Sequence, residues 1–184
     1  MKPMYQVFIA EDEPAALQHL CNIIRIKCQN FQVVGTAENG QEALEQLESF
    51  HPDILITDVK MPVMDGIMLA KRVKERYPDL LTVIISGYQD FSYAQSALRF
   101  GVCDYILKPV KPSVLQESLR ILKGRLDEYY YKMRNRIIHE MCAGNFTENP
   151  GFQQIFPEEE YYTALLRKNS LPRRFLESQG VEFF

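Results

Sequence analysis

Four short apolar runs in this 184-residue chain each lead into a reactive side chain. "YQVFIA" runs into Glu11-Asp12-Glu13, "DILIT" into Asp58, "LLTVII" into Ser86 and "VCDYIL" into Lys108. Brought into one pocket, Glu11, Asp12 and Asp58 would repel and raise one another's pKa unless a cation lay among them. Mg²⁺ suits such a place, because it takes one or two carboxylates, a backbone carbonyl and retained waters. A hydroxyl and an ammonium beside the metal complete a receptor for a tetrahedral oxyanion such as a phosphoryl group. Asp58, nearest the centre, would be the nucleophile and would become an acyl phosphate.

Each residue also has an ordinary reading. Asp after a strand commonly caps a helix or a turn, and Lys before Pro is commonly a surface residue leaving a strand. Independent caps, however, are not expected to place complementary chemistry at four strand ends. The joint pattern outweighs its parts.

The elements that must position these groups can be read from periodicity. Apolar runs at 5–10, 31–37, 53–57, 80–85 and 102–107 alternate with helical stripes: Ala16, Leu17, Leu20, Cys21 and Ile24; Ala43, Leu44 and Leu47; Ile67, Ala70 and Val73; Ala94, Ala97 and Leu98. Nearly continuous apolar strands separated by amphipathic segments predict βαβ units and a parallel sheet buried on both faces. The expected class is α/β, a doubly wound five-stranded sheet. In such sheets ligands meet the C-terminal strand ends, and the order 2-1-3-4-5 would bring all four reactive ends to one edge. In "ILITDVKMPVMDGI" the turn signals Met61-Pro62 and Asp65-Gly66 follow Asp58 closely. Asp65 is assigned to the turn and helix cap, apart from the chemistry.

A long helix is expected from Lys111 to about residue 142. Leu115, Leu119, Leu122, Leu126, Tyr129 and Met133 form either a short heptad seam or the face of a last helix that covers the sheet and overruns it. Beyond Ala143, "GNFTENPG" reads as a loop and "YYTALLR" as a strand candidate in a tail too short for a core of its own.

Composition excludes several classes. At 46% hydrophobic and 24% charged, the chain is that of a globular protein. It contains no run of roughly 20 apolar residues that could span a bilayer, and its start turns acidic too soon for a signal peptide. A cytoplasmic location with no membrane contact is expected. The net charge of -3 divides as -4 over residues 1–110, +3 over 111–142 and -2 over 143–184. No broad basic surface for nucleic acid results; Arg120, Lys123, Arg125, Lys132, Arg134 and Arg136 are read as a solvated helix face. Cys21, Cys28, Cys103 and Cys142 form no C-x-x-C pair and are read as buried reduced thiols. His19, His51 and His139 are read as incidental.

The motifs "FIAEDEP", "ILITDVKMPVMDGI", "VIISGY" and "DYILKP", in this order and spacing, make residues 5–122 resemble the receiver domain of two-component response regulators. The resemblance implies a flavodoxin-like fold of order 2-1-3-4-5 with an extended C-terminal helix and a small tail. It implies that a sensor histidine kinase donates a phosphoryl group to Asp58. Glu11, Asp12, Asp58 and the backbone carbonyl of Lys60 would hold Mg²⁺. Ser86 would follow the phosphoryl oxygens, Lys108 would pair with the phosphoaspartate, and Tyr105 would swing inward as Ser86 moves. Glu stands at 11 where Asp is commoner, and Ser at 86 where Thr is frequent.

The stretch 86–109 further resembles receivers linked to AraC-type DNA-binding output domains. That resemblance divides the chain into a receiver at 1–122, a helical extension or linker at 123–142 and a partial intermediate or truncated output region at 143–184 of a longer regulator. DNA would then be met only through an output domain not present in this chain, and a homodimer is an allowed partner state. The chain is not expected to be an enzyme. Two rivals remain: a Mg²⁺-dependent aspartyl-phosphate phosphohydrolase, and a receiver-shaped scaffold that is never phosphorylated. The first would need an acid two residues after Asp58, where this chain has Lys60.

Overall fold

The computed structural model describes residues 4–87 and 99–142. Five strands, β1 (Tyr5–Ala10), β2 (Phe31–Ala37), β3 (Ile54–Asp58), β4 (Leu81–Ser86) and β5 (Asp104–Leu107), form one sheet in the order β2-β1-β3-β4-β5. Every neighbouring pair is parallel. Helices α1 (Pro14–Lys27), α2 (Gly40–Phe50) and α3 (Gly66–Arg76) link the strands, and a long helix (Pro112–Cys142) follows β5. The expected stripe at Ala94, Ala97 and Leu98, and the tail from Ala143 with its strand candidate, lie outside the described residues.

The central strands are the apolar ones. All of β3 is buried, as are five of the six residues of β1 and of β4, whereas β2 and β5 are partly exposed because they form the sheet edges. Alternation divides each strand between the two faces. Phe8, Ala10 and Leu55 pack with Ala43 and Leu47 of α2 and with Leu69 and Val73 of α3. Val7, Ile9, Ile54 and Ile56, fully buried, point to the other face. There the ammonium of Lys123 on the long helix lies 5.9 Å from the centre of the Tyr5 ring. A Gln116 side-chain N–H donates to the Lys27 carbonyl, joining the long helix to the end of α1 at 3.1 Å.

The helix ends follow their local sequences. Asn39 and Asp65 cap α2 and α3 by accepting the N–H of Glu42 at 2.9 Å and of Met68 at 2.7 Å. Pro14 opens α1, where its missing N–H costs nothing. Lys74 and Arg76 lie in the last turn of α3, at the negative end of its dipole.

Three readings are corrected. The third and fourth strands run one residue further than their apolar runs, so Asp58 and Ser86 are the last residues of β3 and β4. Strand pairing continues as long as backbone partners exist, whatever the side chain. Secondly, only Cys28 of the described cysteines is buried; Cys21 and Cys103 are half-buried. Burial pushes the Cys21 and Cys28 thiols up, away from thiolate chemistry. Thirdly, His19 is not incidental, because its Nε2 lies 2.9 Å from the Val110 carbonyl and ties α1 to the segment after β5.

The chain divides into two compact units, with the boundary inside the long helix between Leu126 and Asp127. In the first unit the helix buries Leu115, Ser118, Leu119, Leu122 and Leu126. In the second it buries Tyr130 and Ile137, while the expected seam residue Tyr129 is exposed. A straight helix of 3.6 residues per turn drifts away from a strict heptad, and a spacing of four after Leu126 follows that drift. Also in the second unit, Tyr129 and Tyr130 meet edge-to-face at 5.4 Å and Lys132 pairs with Glu128 at 2.6 Å. No described helix is long and apolar enough to cross a membrane.

Candidate functional site

Strand register raises the reactive residues to one edge of the sheet. Ala10 pairs with Thr57, so Glu11 and Asp58 stand side by side one residue further on. Asp58 pairs with Ile85, and Ser86 with Leu107. The ladder continues past the strands through Glu11 N–H to Ala37 (3.0 Å), Val59 N–H to Ile85 (2.9 Å) and Lys108 N–H to Ser86 (2.7 Å). Backbone pairing alone therefore delivers Glu11, Asp58, Ser86 and Lys108 to neighbouring positions.

The side chains meet there. The Lys108 ammonium donates to Asp58 Oδ2 at 2.8 Å and to Glu11 Oε1 at 2.9 Å. Asp58 Oδ1 accepts the N–H of Val59 at 2.7 Å. Glu11 Oε1 also accepts the Glu13 N–H at 3.3 Å. Glu11 Oε2 lies 2.9 Å from the ammonium but outside hydrogen-bond geometry, so this buried oxygen has no hydrogen-bond donor. Burial raises the Glu11 pKa above its usual range, and the charge of Asp58 adds to the rise, although the Lys108 hydrogen bond opposes both. Burial alone would lower the Lys108 pKa, yet its hydrogen bonds to Asp58 and Glu11 outweigh that and raise it.

A divalent cation fits these donors. Glu11, Asp12 and Asp58 each offer a carboxylate oxygen, and the three atoms lie within 4.8 Å of one another. Oε2 of Glu11, near the Lys108 ammonium but accepting no hydrogen bond, keeps acceptor capacity that buried oxygens ordinarily fill. Hard oxygen donors and the exposed position of Asp12, which leaves room for metal-bound water, suit Mg²⁺.

A response regulator receiver domain model matches residues 7–120, more than half of the chain. The chain belongs to the response regulator receiver family. This receiver is 31% identical over 163 residues to a Bacillus subtilis protein named as the uncharacterized transcriptional regulatory protein YesN, covering 89% of this chain and 42% of that one. It is 34% identical over 123 residues to the DNA-binding transcriptional regulator NtrC of Escherichia coli K12, covering 66% of this chain and 26% of NtrC. Less than half of either relative's length is thus represented. Among solved structures, the REC domain of the response regulator AraT from Geobacillus stearothermophilus superposes with a TM-score of 0.64 at 39% identity, over 68% of this chain and 98% of that one.

The remaining expected residues of the receiver are placed as follows. Ser86 is fully buried at the end of β4. Tyr105 is half-buried on β5, packed against the cluster of Val59, Ala70, Ile84 and Val102. Lys60 is exposed, two residues beyond Asp58. Two supporting residues escape sequence reasoning. Thr57 donates its hydroxyl to the Asp58 carbonyl at 3.0 Å. Gly66 lies so close to that carbonyl that an added β-carbon would stand 1.9 Å from its oxygen. The Asp65-Gly66 pair signals a turn, but nothing in it tells which backbone atom the turn will touch.

Proposed function

We propose that this receiver is a phosphorylation-operated switch in which Asp58 is the phosphoacceptor. The observation that carries the reading is the Lys108 ammonium bridging Asp58 and Glu11 inside a three-carboxylate cluster. A carboxylate oxygen of Asp58 attacks the phosphorus of a phosphohistidine on a sensor histidine kinase. The phosphorus–nitrogen bond breaks, and the departing imidazole takes a proton from solvent. Glu11, Asp12, Asp58 and the Lys60 carbonyl would hold Mg²⁺, which supplies charge neutralisation for the transferring group. Lys108 stays with the acyl phosphate as its counter-charge. Transfer is stoichiometric, so the chain is an acceptor and not a multiple-turnover enzyme.

Ser86 then turns its hydroxyl to a phosphoryl oxygen, and Tyr105 moves inward beside the cluster it already touches. Two packings of the same fold exchange populations, biased by the new charge. In this reading residues 1–122 are the receiver, 123–142 the linker and 143–184 part of an intermediate region. The alignment with YesN, a protein named as a transcriptional regulator, extends over 163 residues, well past the receiver, and supports a role in transcription; the AraC-type output and the cytoplasmic location belong to the same proposal. The output is a changed contact, in a homodimer or with the rest of a longer regulator.

Incubation with Mg²⁺ and acetyl phosphate, followed by intact-mass measurement, tests the reaction. One added phosphoryl group is expected, absent without Mg²⁺ and absent in Asp58→Asn. An equal gain of mass in that variant refutes the assignment.

A further inference from the structure

Val63 has a backbone φ of 64°. The N–H of Met64 donates to the Pro62 carbonyl at 2.7 Å, so Val63 is the central residue of a γ-turn of the positive-φ kind. That turn is rare and strained for any L-residue, and a β-branched side chain is among those least suited to positive φ. Packing does not compensate, since Val63 is 85% exposed. A strained residue persists where its surroundings over-determine it, and such residues cluster at functional sites.

The surroundings here are specific. The Gly66 N–H donates to the Val59 carbonyl at 2.9 Å and closes the loop across its base. Gly40 N–H holds the Met64 carbonyl at 3.0 Å, and the Met64 side chain is buried among Phe8, Ala37, Ala43 and Leu47. Residue 59 and residues 64–66 are thereby anchored, and Gly66 rests on the carbonyl of Asp58. The γ-turn sets the path of the four residues between these anchors, Lys60 to Val63.

We infer that Val63 is a positioning residue whose unfavourable turn limits how often the loop after Asp58 is in its metal-ready form. The inference rests on the proposed metal site and deepens it. When only a fraction of molecules holds the competent loop, the apparent dissociation constant is the intrinsic one divided by that fraction. A residue at ease with positive φ, Gly or Asn, raises the fraction. The left-handed penalty of roughly 1–2 kcal/mol for an L-residue corresponds to a population factor of about five to thirty.

Titration calorimetry of Mg²⁺ into the full chain tests this, with thermal unfolding in Mg²⁺-free buffer run in parallel. Val63→Gly and Val63→Asn are expected to bind Mg²⁺ several-fold more tightly, up to about thirtyfold. Val63→Ile, which keeps the β-branch, is expected to bind as the unaltered chain does. If the Gly and Asn variants melt higher but bind Mg²⁺ no more tightly, Val63 is only a costly turn and the inference falls. If the unaltered chain binds no Mg²⁺, the metal site itself is overturned, and this inference with it.

Discussion

Gly66 lies against Asp58 so closely that a β-carbon on the glycine would sit 1.9 Å from the carbonyl oxygen of the aspartate. The same carbonyl accepts the Thr57 hydroxyl at 3.0 Å. The turn that ends β3 is therefore built onto the backbone of the proposed acceptor. Gly66→Ala must displace the end of β3 or the start of α3, at a cost of about 3 kcal/mol by the usual scale of overpacking. Chemical denaturation should register that loss. Phosphoryl uptake at Asp58 should slow by roughly 100-fold, as expected of a misplaced reacting group. Wild-type uptake in a correctly folded Gly66→Ala protein would show that the contact does not position the acceptor.

Glu11 gives a pH dependence of known sign. Burial and the charge of Asp58 raise its pKa in the folded state above the usual value of 4.5. The folded protein thus holds this proton more tightly than the unfolded chain does. The associated stability is present below pH 4.5 and is lost as pH rises through the raised folded value. In Mg²⁺-free buffer, Glu11→Gln should gain stability relative to the unaltered chain across that window and keep the advantage at neutral pH. Added Mg²⁺ should then raise the melting temperature of the unaltered chain much more than that of the variant. A Glu11→Gln protein that is less stable at pH 7 without Mg²⁺ would mean that the Lys108 pairing outweighs the burial of charge.

Asp65 and Asp58 are seven residues apart and have separate duties. Asp65 accepts the Met68 N–H at 2.7 Å and caps α3. Asp65→Ala should cost about 1 kcal/mol and leave one phosphoryl group added per chain. Loss of phosphorylation in a stable Asp65→Ala protein would move this residue into the chemistry.

Gly124 sits within the long helix, and a β-carbon added there would meet nothing within 4 Å. Helix interiors favour Ala over Gly by about 1 kcal/mol, so Gly124→Ala should stabilise the helix by an amount of that order. The gain would appear as a higher denaturation midpoint with an unchanged slope. A neutral or destabilising result would indicate that the glycine serves a bend or a close approach at this point.

Much of the architecture was legible because it depends on local periodicity. Apolar runs bounded by turns marked all five strands within one or two residues, the largest difference being the late start of β5 at Asp104. The capping role of Asp65 was likewise readable from spacing. The heptad seam was not, because positions beyond Leu126 depend on helical phase. A spacing of three or four is equally compatible with an amphipathic pattern, and burial at Tyr130 rather than Tyr129 selects four.

By itself, the sequence determined which chemical groups this receiver can bring to the sheet edge, since apolar runs must end where their charged residues reach water. Tertiary structure alone decided how they meet. Lys108 is 97 residues from Glu11 and 50 from Asp58, and only parallel pairing of β1, β3, β4 and β5 brings its ammonium within 2.9 Å of both. The contact of Gly66 with Asp58 and the left-handed turn at Val63 were equally closed to sequence reading. They arise from packing a short loop between fixed anchors, where backbone geometry has to satisfy distant partners as well as local preference.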